Sequence, residues 1–308
     1  MNEERPNISI NGSTIGAMTT GDGSHAYGTV NVGGAADPSA GSAEEPVEAR
    51  VSRTLVVVVA DVERDAVLAR VSGANGAVSQ RRYLASHTVY ELGPISATEV
   101  LLAQIGQGTV TPDSGAAAAT ELIQQLRPDH VILTGICYGL KEDNRHWQQR
   151  LGDVVVASEL RLIGHHRVSQ VAGQSELRHW SRGGAVHPSP MLLDRFRSAA
   201  LDWDRRVPVH IGPFVSESVL VDSFDYRERL RAEHPEALAG EMEGSGVYAA
   251  ALRGKVDWAL VKAISDWGYR REYAAHPMAA DNAASFLVHM MRVGGLDPVS
   301  TAEGPAPR

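Results

Sequence analysis

Carboxylates stand among apolar and small residues at three places in this chain. "GEMEGSGVYAA" carries Glu241 and Glu243 around Met242 and runs on into glycines and alanines. "AISDWG" sets Asp266, with Ser265 beside it, directly after an apolar run, and "VADVERDAV" sets Asp61, Glu63 and Asp65 after another. Acids so placed can give or take a proton or hold hydroxyl groups. Each also has an ordinary alternative. A loop aspartate can cap a helix, and acids gather in a helix's first turn because the dipole favours them there. Glu241 and Glu243 are two apart, so on a helix they share no face and need not have one job.

Other chemistries are set aside by what the chain lacks. "GQGTVT" opens like a dinucleotide loop, but Thr111 stands where the third glycine belongs. There is no G-K-[ST] phosphate loop and no G-x-S-x-G elbow. His165 and His166 are adjacent, which is poor metal-ligand spacing, and Cys137 is the only cysteine. A lone thiol at the end of an apolar run reads as a packed side chain rather than a nucleophile, and it excludes a disulfide framework. Neither metal nor cofactor is expected. The formal charge of −8 argues against nucleic acid as the main partner, though not against a local basic pocket. The start lacks the basic region and apolar run of a secretion signal, and "TLVVVVA" is far too short to span a membrane. A soluble cytoplasmic protein without a membrane partner is expected.

The elements that must position these acids follow from hydrophobic pattern. With 308 residues, 43% hydrophobic, the chain can bury a sizeable core. "TLVVVVA" (Thr54 to Ala60) is a continuous β-branched run, as in a strand buried on both faces. "ERDAVLARV" predicts a helix, and so does "SGAAAATELIQQLRP", with Ser114 before it and Pro128 after it. "DHVILTGICYGL", "LGDVVVASEL" and "WALVKAISDWG" predict buried strands, and "PVHIGPFVSESVLV" predicts two more. "GSGVYAAALRG" and "AADNAASFLVHMMRV" predict helices. Alternating strands and helices imply an α/β fold, a three-layer αβα sandwich on a central mixed sheet. Its ligand crevice lies at the loops after the strand ends, here 61–65, 135–139, 216–218 and 265–267. Residues 1–32 form a Gly/Ser/Asn-rich segment in which short β segments fit, 33–52 a linker, 53–294 the folded domain and 295–308 a loose tail.

Taken together, the blocks resemble the nucleoside phosphorylase superfamily. "LTGICYGL", "RLGDVVVASEL", "GEMEGSGVYAAA" and "VKAISDWG" stand in that family's order, and the resemblance covers about Thr54 to Val293. It is closest to the methylthioadenosine/adenosylhomocysteine nucleosidase branch and related bacterial defence effectors. The resemblance implies that Met242 and Glu243 contact ribose and that Asp266, oriented by Ser265, protonates the purine at N7. It implies an early acid that activates water, which the register puts at Asp65, with Glu63 as the second choice. Gly135, Ile136, Ser216 and Trp267 are expected to line the substrate site, with Glu241 nearby in a structural or binding role. Cleaving an N-ribosidic bond builds positive charge on the sugar and negative charge on the leaving base. It therefore needs an acid at the base, a carboxylate at the nucleophile and a grip on the sugar hydroxyls. Asp266 must carry or share a proton when substrate is bound, and Trp267 would help to bury it.

The resemblance leaves three readings of function. The first is hydrolysis of a purine, and most simply an adenine, nucleoside or nucleotide. It is favoured because "TGICYGL" and "AQIGQGTV" lack the arginines with which phosphorylases hold phosphate. The others are a phosphate-dependent phosphorylase and a binding or sensing module without turnover. Two departures bear on substrate: Tyr138 replaces a small residue, and "VSESVLVDS" lacks a base-stacking aromatic. "DNRHWQQR" and "YRREY" offer cations for phosphates, or are solvated loops. A homo-oligomer is expected. "IGAMTTGDGSHAYGTVNV" resembles amyloid-type signalling motifs that pair with an NLR-like ATPase, since a proline-free Gly/Asn/Ser segment with spaced β-formers can stack between chains.

Overall fold

The computed structural model describes residues 51–298 apart from 77–78, 85, 109–113, 143–148, 171, 173–176, 204–206 and 272, together with 8–10 and 13–15. The chain divides into two units, Met1–Ala49 and Arg50–Arg308. In the first, β1 (Ile8–Ile10) pairs antiparallel with β2 (Ser13–Ile15). This is the kind of short β segment expected there. The rest of that segment, the linker to residue 50 and residues 299–308 lie outside the described residues.

The second unit contains β3 (Ser52–Val58), α1 (Asp61–Asn75), β4 (Gln80–Tyr83), β5 (Thr88–Ile95), β6 (Thr98–Gln104), α2 (Gly115–Leu126) and β7 (His130–Gly139). These are followed by β8 (Val154–Leu162), β9 (His166–Gln170), β10 (Leu177–Ser181), β11 (Ala185–Val186), α3 (Pro190–Leu201), β12 (Val209–Ser216), α4 (Phe224–Glu233), β13 (Ala239–Glu241), α5 (Gly244–Gly254), β14 (Asp257–Asp266) and α6 (His276–Arg292). Strands β9 and β10 form a separate ribbon. The others make one mixed sheet in the order β11-β8-β12-β13-β7-β3-β6-β5-β4, with β14 between β7 and β8. β7 runs parallel to β3 and β14, and β14 antiparallel to β8. Because β13 also bonds both β12 and β7, strands β7, β14, β8, β12 and β13 close into a ring. The ring draws the ends of β7, β13 and β14 to one spot.

Alternate residues of the β-branched run feed the two faces, as the pleat requires. Leu55 and Val57 pack in the core beneath α2 and α5, and Val56 and Val58 in the core beneath α1, α3 and α6. The sheet is therefore covered on both sides, as the sequence predicts. The small residues after Glu243 serve the first of these layers. A Cβ on Gly246 would lie 2.7 Å from the backbone nitrogen of Ala116, so α5 meets α2 at a distance only glycine permits.

Two expectations are corrected. "PVHIGPFVSESVLV" makes one strand: the ladder between β12 and β13 ends at the Ser216–Glu241 pair, and 217–223 leave the sheet as a loop. The tail is tied down at its start. Leu296 is fully buried, and its carbonyl accepts hydrogen bonds from Ser52 Oγ at 2.5 Å and Thr98 Oγ1 at 2.6 Å. Among the described residues no helix is long and apolar enough to cross a membrane.

Candidate active site

A cavity of about 320 Å³ opens where β7, β13 and β14 end. Glu63, Ile136, Tyr138, Glu241, Met242, Glu243, Lys262, Ser265 and Asp266 all line it, with Val219–Val221 from the loop after β12. A larger hollow of about 1150 Å³ lies at the opposite strand ends, around Ser52, His130 and Asp257. It gathers no comparable set of buried acids, and α/β sheets bind ligands at the carboxyl ends of their strands.

Glu63 enters the cavity from the first turn of α1. Its Oε2 accepts the N–H groups of Val59 (2.7 Å) and Ala60 (2.9 Å), and its Oε1 accepts that of Ile136 on β7 (2.7 Å). The carboxylate is held to the backbone of two strand ends by three of its roughly four lone-pair directions. One direction at Oε1 remains. Burial pushes this carboxyl up from its ordinary range, while Lys262 and the three N–H groups pull it back. Gly135 makes the arrangement possible: its φ is +147°, and a Cβ there would sit 2.1 Å from Glu63 Oε1.

Asp65 does not reach the cavity, contrary to the sequence-based first choice. Glu63, Val67 and Val71 are spaced four apart and form the inward stripe of α1, with Glu63 3% exposed. Asp65 is two positions from Glu63, so it faces solvent, where it pairs with Arg64 at 2.8 Å.

The two glutamates at the foot of α5 converge on a residue that sequence reasoning missed. Lys262 on β14 is 2% exposed; its Nζ lies 3.2 Å from Glu243 Oε2 and 3.4 Å from Glu241 Oε2. Burial works against its charge, but Glu243, Glu241 and Glu63 outweigh it and hold the ammonium well above its ordinary range. Glu241 Oε2 also accepts the N–H groups of Glu243 (2.9 Å) and Gly244 (2.7 Å), so it caps the start of α5. Glu243 Oε1 accepts the N–H of Gly108 at 3.0 Å. The two acids thus have different jobs on one cation. The signal in the sequence was a lone lysine inside "WALVKAIS", an otherwise apolar strand.

Asp266 ends β14, 7% exposed. Its Oδ2 accepts Ser265 Oγ–H at 3.0 Å and its Oδ1 the N–H of Gly268 at 2.8 Å. Arg271 Nε stands 3.4 Å from Oδ2. Arg271, Tyr273 and His276 also line this rim; Arg271 and Tyr273 belong to the stretch "YRREY" that offers cations in the sequence, and His276 lies outside it.

The remaining expectations divide. Met242 and Ile136 line the cavity. Trp267 turns away: its ring packs where a Cβ on Gly139 would meet it at 2.5 Å, against the core under α2 and α5. Ser216 is buried below the loop, its Oγ accepting the N–H of Ser245 at 3.1 Å. Cys137 lines the cavity, but burial pushes its thiol far up, away from the nucleophilic thiolate. Tyr138 fits because position 240 is glycine, where a Cβ would lie 2.1 Å from the phenol oxygen. Residues 143–148 of the first basic stretch lie outside the described residues. Among the described residues no group of three or more His, Cys, Asp or Glu side chains is arranged to hold a metal ion.

Fold and site together define a member of a known family. Residues 54–292 match the model of the phosphorylase superfamily, and the chain belongs to it. A 5'-methylthioadenosine/S-adenosylhomocysteine nucleosidase of Maridesulfovibrio salexigens is 28% identical over 203 residues, 66% of this chain and 83% of that protein. A death domain-containing ATP nucleosidase of Amphimedon queenslandica is 30% identical over 190 residues. That match takes in 55% of this chain and 34% of the relative, so the chain spans about a third of that protein's length. Among solved structures, a methylthioadenosine/adenosylhomocysteine nucleosidase of Colwellia psychrerythraea in complex with adenine superposes with a TM-score of 0.64. It is 21% identical and covers 80% of this chain and 97% of its own. These curated relatives are nucleosidases.

Proposed function

We propose that this enzyme hydrolyses the N-glycosidic bond of an adenine nucleoside or nucleotide, with Glu63 as the base and Asp266 as the acid. The observation that carries the reading is that two buried carboxylates from different elements line one cavity beside Met242 and Glu243. Glu63 bonds the backbone of Ile136, and Asp266 stands in register with Tyr138 two residues further along β7, so the two acids enter the cavity at different points along that strand.

In this scheme the free lone pair of Glu63 Oε1 holds a water and takes its proton as it attacks C1′. Glu243 retains acceptor capacity beyond Gly108 and Lys262, which suits the ribose hydroxyls. Asp266 delivers a proton to N7 as the bond breaks, with Ser265 orienting it. Lys262 keeps Glu241 and Glu243 in place. Water suits the nucleophile's place better than phosphate does: Glu63, Glu241 and Glu243 surround it, and its one lysine is already paired. The test is incubation with adenosine, methylthioadenosine, AMP and ATP, followed by chromatography for free base. Adenine release from at least one is expected; none from any, with folded protein, would favour a sensor without turnover.

The amino-terminal unit suits recruitment. Its paired strands β1 and β2 fit a segment that adds to matching segments of other chains, including an NLR-like ATPase in a bacterial defence setting in the cytoplasm. A chain lacking residues 1–50 should keep its turnover and fail to co-assemble with such a partner in pull-down. Undiminished co-assembly would overturn this role.

A further inference from the structure

We infer that Arg271 and His276 form a subsite for a 5′-phosphate, so that the enzyme prefers 5′-phosphorylated nucleosides to nucleosides and their thioethers. This rests on the nucleosidase reading above and names the substrate class within it.

Three observations lead there. First, both side chains line the substrate cavity on the rim that carries Asp266. Arg271 is drawn in from solvent, its side chain 18% exposed, and its backbone N–H reaches Asp222 Oδ1 at 3.4 Å. Second, the hydrogen-bonding capacity of this rim is not used up. His276 Nε2 is buried with no hydrogen-bond partner, while the ring is held edge-on to Tyr273 at 5.0 Å between centroids. Arg271 spends Nε on Asp266 at a long 3.4 Å, and a guanidinium has five N–H donors. Third, the cavity's other cation, Lys262, is committed to Glu241 and Glu243. Arg271 and His276 are therefore groups on the Asp266 rim with donors to give, alongside the buried Tyr138 hydroxyl deeper in the cavity.

The shape of the substrate sets what those donors meet. In an anti purine nucleoside the edge carrying N7 and C8 lies over the sugar on the side of C5′. A group flanking the acid at N7 therefore also faces the 5′ substituent. A methylthio or hydroxymethyl group there offers no charge to a guanidinium and no firm acceptor to a buried imidazole. A phosphate offers three acceptor oxygens, and Arg binds such anions in a planar, two-pronged fashion. Burial, opposed by Asp266 and helped by Arg271, holds the imidazole below its ordinary range, and in either protonation state the ring has an N–H to donate.

The experiment compares kcat/KM for AMP, adenosine and methylthioadenosine in the full chain, the Arg271→Gln and Arg271→Lys variants, and His276→Ala. AMP should be preferred by the unaltered chain. Loss of a charge-assisted hydrogen bond is worth roughly a 10- to 100-fold change, so Arg271→Gln should cut the AMP-to-adenosine ratio by that factor, chiefly through KM. His276→Ala should lower the same ratio, and Arg271→Lys should retain part of it. A ratio unmoved by Arg271→Gln, or adenosine or methylthioadenosine preferred by the unaltered chain, overturns the subsite and leaves the nucleosidase reading standing. No adenine from any substrate overturns both.

Discussion

Glu63→Gln should lower kcat by about 10²- to 10⁴-fold, the usual worth of a positioned general base, while Asp65→Asn should leave turnover within about twofold. The contrast follows from helix geometry. The two acids are two residues apart on α1, so one faces β7 and the other solvent. Replacing Glu63 removes the only free acceptor at Oε1 and puts an amide N–H₂ among backbone donors that now bond to oxygen. That mismatch costs about 1–3 kcal/mol of stability, so thermal melting must accompany the kinetics to separate lost chemistry from lost fold. Equal activity of the two variants would return the base to an open question.

Lys262→Met should produce the largest loss of stability in the molecule. Two carboxylates, at 3% and 4% exposure, would lose the cation they share. Breaking a buried ion pair by removing one partner costs about 3–5 kcal/mol. For a folded unit of this size that is a melting temperature lower by roughly 6–20 °C. The paired variant Lys262→Met with Glu241→Gln should recover part of the loss, because one of the two stranded carboxyl groups is replaced by a neutral amide. Glu243 would also lose the contact that fixes it, so the remaining folded enzyme should show a raised KM. A melting temperature within 2 °C of the unaltered chain would mean that the triad contributes little.

Much of this site was legible because strand and helix patterns were strong. The apolar runs at β3, β7, β8 and β14 and the helices α2, α5 and α6 stand where hydrophobicity placed them, and they carry Met242, Glu243, Ser265 and Asp266 into one cavity. On α1 the register of the resemblance points to Asp65, whereas the local period turns Glu63 inward and Asp65 to solvent. The stripe Glu63, Val67, Val71 was present in the sequence and points inward by itself. Lys262 lies inside an apolar run, where a charge demands partners that the run itself does not name. Trp267 and Ser216 follow the right strands, but which way a side chain turns at a strand's end depends on tertiary neighbours, here Gly139 and Ser245. The loop 217–223 has the composition of a strand and forms none, because β13 has ended where it would need a partner. Arg271 lies in "YRREY", where sequence shows a cation but not its place, and His276 reaches the rim only as the first residue of α6.

The most direct test of the central claim is adenine release from AMP and adenosine followed by chromatography, with and without inorganic phosphate, while ³¹P NMR follows the sugar product. Adenine should form at the same rate in both buffers, with no ribose 1-phosphate. Release that requires phosphate, with the 1-phosphate accumulating in step, would contradict hydrolysis and place the enzyme among the phosphorylases.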